Sequence, residues 1–276
     1  MSGGRAGHAR LRAAHALRLP RPARCLVGLL LLAGCTNVTP TPTADADTLI
    51  HGGLLFDGGD GPGRIADVAI RGDRILEVGP GLRQRYRATR EIDATGLVVS
   101  PGLIDPHTHP DTYLRSTDPA MRRLLPWLHQ GVSTIFIGID GGGTPDIAAD
   151  RARLEAAGTG TNVAAYVGLG PVRRRVLGDD ARAPDADELA RMRGLVAGAM
   201  CEGAFGLSAG LFYAPQSFAS TDEVVALARE AAIRGGVYDT HQRDESSYSL
   251  GLMGSIEEVL EIGRRAGLPV HIAHIK

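Results

Sequence analysis

Cysteine is scarce in this chain of 276 residues, which holds three. Cys25 and Cys35 fall in the opening segment, so Cys201 stands alone in the body and an internal disulfide framework is excluded. The pattern around it, Met200-Cys201-Glu202-Gly203, is that of a helix end, where a buried structural role is expected rather than a nucleophile. A basic patch is also lacking once the opening is set aside. Residues 1–34 carry six arginines (Arg5, Arg10, Arg12, Arg18, Arg21, Arg24) and no acid. Taking those six from the 30 basic residues leaves 24 against 31 acids, a balance of −7. Nothing in the body is therefore arranged to grip nucleic-acid phosphates, and no such partner is expected. The apolar run Leu26-Val27-Gly28-Leu29-Leu30-Leu31-Leu32-Ala33-Gly34 falls short of the roughly 20 residues an ordinary membrane-spanning helix needs. What remains, 43% hydrophobic with mean hydropathy near zero, reads as a soluble globular body with a sizeable core.

The basic start followed by a short apolar run has the form of an export signal. Leu32-Ala33-Gly34-Cys35 resembles a bacterial lipobox, in which the cysteine becomes the lipidated first residue of the mature protein. This divides the front of the chain into a signal with lipobox over residues 1–35 and a Thr/Pro-rich tether over 36–46. The expected location is the cell envelope, lipid-anchored through Cys35 on its periplasmic or extracellular face. Thr36, rather than Asp, follows the cysteine, which favours the outer of two membranes. The alternative is a plain secretory signal with a chance cysteine.

From residue 47 to 97 short apolar segments (49–51, 54–56, 68–70, 75–78) alternate with turn signals such as Asp60-Gly61 and Arg71-Gly72-Asp73, which predicts a small β-domain. After residue 97 the rhythm changes. Strand candidates at 134–138, 163–168, 204–208, 236–240 and 269–273 alternate with helical patterns, the mark of repeated βα units and a parallel sheet. Helices are expected over 145–157 and 184–199. Ser220-Thr221-Asp222-Glu223 reads as a capping box, and Ser255-Ile256-Glu257-Glu258 as the opening of another helix. With the strand at 97–99, which leads toward His107, six strands are expected where a closed barrel of this type takes eight.

The chemistry gathers at the strand ends. His107 and His109 are separated by one residue, and side chains at i and i+2 of a strand share a face. Asp140 follows the second strand, Ser208 the fourth, His241 closes the fifth and His274 the sixth. Carboxyl ends of successive parallel strands converge on one mouth, so residues spread along the chain can meet there. An isolated His-x-His is unremarkable; five candidate ligands at equivalent places of a repeat are not. Gly141-Gly142-Gly143 and Gly168-Leu169-Gly170 lack the spacing of phosphate loops and read as tight turns.

These residues carry a family resemblance over residues 47–276. Pro101-Gly102-Leu103-Ile104-Asp105-Pro106-His107-Thr108-His109-Pro110-Asp111 is similar to the metal-binding opening of the amidohydrolase superfamily. Tyr238-Asp239-Thr240-His241-Gln242-Arg243-Asp244-Glu245, His271-Ile272-Ala273-His274-Ile275-Lys276 and Gly206-Leu207-Ser208-Ala209-Gly210-Leu211-Phe212-Tyr213 resemble the N-acyl-D-amino-acid deacylases, or D-aminoacylases. The resemblance implies an α/β fold, a metal-dependent hydrolase (β/α)8-type barrel over 98–276, incomplete here, with a small N-terminal β-sandwich over 47–97. It implies zinc, one tight ion on Asp140, His241 and His274 and a weaker or empty second site lined by His107 and His109. Tyr213 and Lys276 are implied to hold the substrate carboxylate, and the substrate to be an N-acyl-D-amino acid or a short peptide with a D residue. Members often have Cys at the position of Asp140 and a small residue at that of Asp239. Asp239 shares a strand face with His241 and is a candidate for orienting it, a solvated strand-end acid being the other reading. By strand parity His271 should face the helices, away from the site of His274. The catalytic Asp of the family comes from an eighth strand, expected beyond Lys276, so the chain reads as the front of a longer protein. Two other functions stay open: a cyclic-amidase type of amidohydrolase, disfavoured because residues 204–210 offer no Lys to carboxylate, and a lipid-anchored remnant that binds metal without turnover.

Overall fold

The computed structural model describes residues 44–275. The lipobox with Cys35, most of the tether and Lys276 lie outside the described residues. The chain divides into two compact units, residues 44–52 with 66–93, and residues 53–65 with 94–275. No helix among the described residues is long and apolar enough to cross a membrane.

The first unit is built from β1 (Ala44–Leu55), β2 (Arg64–Arg71), β3 (Arg74–Gly79) and β4 (Tyr86–Asp93), in the order β3-β2-β1-β4, with β1 parallel to β4 and β2 antiparallel to β3. β1 begins at Ala44, inside the stretch read as tether. The glycine pair 52–53 does not end it, because Gly52 takes a positive φ of 75° and the strand continues through. Ala46, Leu49 and Ala69 pack with Leu82 of a short 3-10 turn. Buried Asp67 ties the unit together, its carboxylate accepting from the backbone N–H groups of Gly52 (2.9 Å) and Leu82 (2.8 Å). Among the described residues these strands make one mixed sheet, with Ile75 and Leu76 left exposed on it. The expected β-sandwich is not shown among the described residues, where Leu82 of the 3-10 turn packs on the small apolar set.

The second unit starts with β5 (Val98–Val99), which pairs with Leu54 and Leu55 at the end of β1. The strand leading to His107 is instead β6 (Leu103–Asp105). Pro101 lacks an N–H and Gly102 sits where a Cβ would fall 2.1 Å from Ser133 Oγ, so the chain changes partners between the two strands. Three single-turn helices follow, α1 (Asp111–Leu114), α2 (Pro119–Arg122) and α3 (Leu125–Leu128), the last two with Pro in the first turn. Then come β7 (Val132–Ile137), α4 (Ile147–Ala157), β8 (Asn162–Ala165), β9 (Val167–Gly168), α5 (Leu169–Leu177), α6 (Ala186–Cys201), β10 (Gly206–Gly210), α7 (Thr221–Ala232), β11 (Val237–His241), α8 (Gly251–Ala266) and β12 (Val270–Ile272). Every neighbouring pair is parallel, in the orders β6-β7-β8 and β9-β10-β11-β12. Residues 162–168 are one extended run interrupted at Tyr166, which passes from the first sheet to the second. The result is an open arc of six strand positions in chain order. It does not close into a barrel among the described residues.

Helix ends follow local chemistry, with two departures. The reciprocal capping box is at Asp185 and Glu188, where each side chain accepts the other's backbone N–H. At the expected box only Ser220 does its part, accepting from Glu223 N, because the Glu223 carboxylate is taken by Arg173. α8 opens at Gly251 rather than at Ser255, which is buried inside it. Cys201 ends α6 as expected but is exposed, so the buried role does not hold.

The main core lies between the second sheet and α5 to α8, with Val167, Leu207 and Tyr238 facing Met192, Val196, Val224, Leu227, Val259 and Ile262. Through it runs one ion pair. Arg173 is fully buried; one amino group meets both oxygens of Glu223 at 2.6 and 2.7 Å, and the other donates to the carbonyls of Asp180 and Arg182. Removing one partner strands a buried charge, a loss of about 3–5 kcal/mol, whereas replacing both with apolar residues is far milder. Arg173→Met is therefore expected to cut unfolding free energy by that amount in urea titration, and the double variant Arg173→Met with Glu223→Leu to recover most of it.

Candidate metal centre

Every strand position of the arc except the third, which ends in Gly168 and Leu169, delivers a polar residue at or just past its carboxyl end. His107 and His109 stand just past β6, in the irregular segment after Asp105, so their shared direction does not come from strand alternation. It comes from Thr108, buried between them, whose hydroxyl donates to the carbonyl of Phe136 on β7 at 2.6 Å. Asp140 lies three residues past β7 with a left-handed backbone, φ 53°. Gln216 holds it there, donating from Nε2 to the Asp140 carbonyl at 3.0 Å while its Oε1 accepts from Gly210 N at 2.7 Å. Gly210 must be glycine, since a Cβ there would fall 2.4 Å from the Asp140 carbonyl oxygen. Neither Gln216 nor this role of Gly210 was legible in the sequence.

The Asp140 carboxylate sits between two imidazole pairs. Its Oδ1 is 3.3 Å from His107 Nε2 and 3.8 Å from His241 Nδ1, and its Oδ2 is 3.4 Å from His109 Nε2. His241 Nδ1 is in turn 3.1 Å from His274 Nε2. His274 also has positive φ, 32°, and lies beyond the end of β12. Among the described residues, Asp140 with His241 and His274, and Asp140 with His107 and His109, each bring three donor atoms within 4.8 Å of one another. His107 Nε2 and Asp140 Oδ1 are buried and face each other without an aligned hydrogen bond. Two opposed lone-pair donors with no hydrogen-bond partner suit a cation between them.

A third triad is His107, Asp239 and His271. Asp239 is fully buried and meets His107 Nδ1 at 3.2 Å and His271 Nδ1 at 2.7 Å, so it orients these rings and not His241, and it is not a solvated acid. His271 turns toward the site, against the expectation from parity, because β12 ends at Ile272 and alternation cannot be carried on to His274. Tyr213, on the turn after β10, places its hydroxyl 3.4 Å from His241 Nδ1. Glu245 approaches His274 Nδ1 at 2.8 Å and His241 Nε2 at 3.9 Å. Its neighbours in the motif are structural: Arg243 pairs with Glu258, and Asp244 accepts the backbone N–H groups of Ser246, Ser249 and Gly251, folding the loop that presents Glu245.

No protein-family profile matches the chain. Among curated proteins it is 38% identical over 253 residues, 83% of this chain and 50% of the relative, to a D-aminoacylase of Alcaligenes xylosoxydans xylosoxydans. Among solved structures it matches a D-aminoacylase studied for its binuclear metal centre, with TM-score 0.74 and 37% identity over 84% of this chain and 52% of that one. An N-acyl-D-glutamate deacylase of Bordetella bronchiseptica, solved with zinc and a phosphonate mimic of the tetrahedral intermediate, matches with TM-score 0.76 and 32% identity over the same shares. The chain belongs to the D-aminoacylase family. It spans about half the length of the D-aminoacylases it matches.

Charge at this candidate centre is mutual. Burial opposes the charged form of His107, but the Asp140 and Asp239 carboxylates outweigh it and push its pKa up to about 9. Burial likewise opposes an ionised Asp140, yet His107, His241 and His109 hold it below the usual carboxylate range. An imidazole must lose its proton to ligate a metal. Below about pH 9 an entering ion therefore displaces a proton from His107, and the affinity of the His107 side for a divalent cation is expected to rise by about tenfold per pH unit toward that value and level off above it. Zinc titrations against a buffering chelator between pH 6 and 10 check this.

Proposed function

We propose that the full-length protein is a zinc-dependent deacylase of N-acyl-D-amino acids, hydrolysing the amide to a carboxylate and a free D-amino acid. The observation that carries the reading is the Asp140 carboxylate set between the His107/His109 and His241/His274 pairs, in a chain that matches D-aminoacylases over most of its length. Asp140, His241 and His274 would hold the tight ion, and Asp140 with His107 and His109 a second, weaker one. A carboxylate is a harder ligand than thiolate, which loosens the preference for zinc over other divalent ions. When bound, the ion would supply Lewis acidity, polarising the scissile carbonyl and lowering the pKa of water to about 7.

The chain's own residues supply ligation and orientation. The Tyr213 hydroxyl, 3.4 Å from His241 Nδ1, would donate to the substrate carboxylate, and Lys276, two residues past His274, would provide the charge partner. The Glu245 carboxylate lies 2.8 Å from His274 Nδ1, on the side of that ring away from Nε2, which lies toward His241 and Asp140. Proton transfer to the leaving amine needs a further acid–base group, for which the family's Asp is the candidate in the full-length protein. Where a carboxylated Lys would be required for the cyclic-amidase reading, β10 carries Ser208 instead.

Full-length protein with zinc is expected to release acetate from N-acetyl-D-amino acids and not from the L-enantiomers, with turnover lost to a chelator. Asp140→Ala should lower kcat/KM by about a thousandfold or more and abolish tight zinc uptake, whereas Asp140→Cys should retain both. Zinc uptake without turnover in the full-length protein would support the metal-binding remnant instead.

We also propose that the mature protein is anchored in the cell envelope through a lipid on Cys35. Cys35→Ala is expected to move the protein from the membrane fraction to the soluble one and to abolish incorporation of labelled palmitate.

A further inference from the structure

We propose that Asp239 is the positioning residue of the metal centre: its buried carboxylate fixes both the ring of His107 and the backbone beside Asp140, so that His107 Nε2 and Asp140 Oδ1 face each other across one ion. The inference rests on the metal-centre reading above.

A fully buried carboxylate is tolerated only when its oxygens are occupied. Here Oδ2 accepts from the Ser208 hydroxyl at 2.9 Å, and Oδ1 from His107 Nδ1 at 3.2 Å and His271 Nδ1 at 2.7 Å. A carboxylate can only accept, so both imidazoles must carry a proton on Nδ1. That assigns the other nitrogen of His107, Nε2, to the ion, and this is the atom found buried without an aligned partner at 3.3 Å from Asp140 Oδ1. The same carboxylate acts on Asp140 by a second route. Ser208, its hydroxyl donating to Asp239, accepts the backbone N–H of Gly141 at 3.0 Å and so pins the residue that follows Asp140. Asp239 and Ser208 are partners in the parallel register of β11 and β10, so the relay is anchored on two adjacent strands in the middle of the second sheet. Outer-shell carboxylates of this kind typically change metal affinity by about 10- to 100-fold when removed.

The test uses full-length protein, with zinc and cobalt as probes. In Asp239→Ala the affinity of the ion on His107 is expected to fall by about 10- to 100-fold, and that of the ion on His241 and His274, which shares only Asp140 with the relay, to fall by less. Asp239→Asn keeps the shape but has one acceptor oxygen, so it should fall between wild type and Asp239→Ala and covers the case in which the alanine variant does not fold. Proton NMR of histidine-labelled protein reads the relay without reference to metal: the downfield Nδ1–H resonance of His107 should be present in wild type and lost in Asp239→Ala. A wild type that takes up no metal and turns over no substrate while keeping that resonance would sink the deacylase reading and leave the relay standing. Folded Asp239 variants with an unchanged Nδ1–H resonance and unchanged affinities would overturn the relay. So would a third ion present in wild type and missing from Asp239→Ala, which would make Asp239 a ligand in its own right.

Discussion

The second unit is organised around where one carboxylate can be put. Asp140 has to reach two pairs of imidazoles at once, and a residue in regular strand geometry could not, because its side chain would point along the pleat and not across the rim. The left-handed turn at Asp140 solves this at a conformational cost that the surroundings offset. Gln216 bonds its carbonyl, Ser208 bonds the next N–H, and Gly210 leaves room for the crowding that results.

That arrangement depends on parallel neighbours in chain order. Because β6 to β12 run the same way, their carboxyl ends lie on one rim, and turns of a few residues suffice to bring His107, Asp140, Tyr213, His241 and His274 together. The glycines after β7 serve this packing and no phosphate: a Cβ at Gly143 would fall 2.0 Å from the Tyr166 carbonyl, and one at Gly168 2.3 Å from that of Gly141. The backbone of the Asp140 loop thus lies directly on β9. Behind the rim, the Arg173–Glu223 pair joins α5 to α7 and holds the segment after α5 through two carbonyls.

Much of this was legible in residue order. The βα rhythm after residue 97, the six strand positions and the five candidate ligands follow from apolar periodicity and from polar residues at strand ends, signals that depend on neighbours in sequence. What misled was local reasoning carried past an element's end. Parity points His271 outward only if β12 runs on to His274, and β12 ends at Ile272; the strand at 97–99 does not run on to His107, because Pro101 and Gly102 divert it. The pattern Ser220 to Glu223 has the form of a capping box, but a distant arginine claims the glutamate. Alternation implies a β-domain for the first unit, since it fixes that a strand has two faces but not what covers each; the sandwich form is implied by the resemblance alone.

By itself the sequence determined the fold class, the family and the identity of the candidate ligands, because periodicity, turn residues and the His-x-His and Thr-His-x-Arg-Asp-Glu patterns are properties of short stretches. Only the tertiary structure decided who touches whom. That Asp140 lies between both histidine pairs, that Asp239 serves His107 and His271 and not His241, and that Gln216 and Ser208 support the site are facts about residues 31 to 132 positions apart. Such pairings are set by strand register and by how backbones cross, and a hydrogen bond that spans them leaves no periodic trace in the order of the residues.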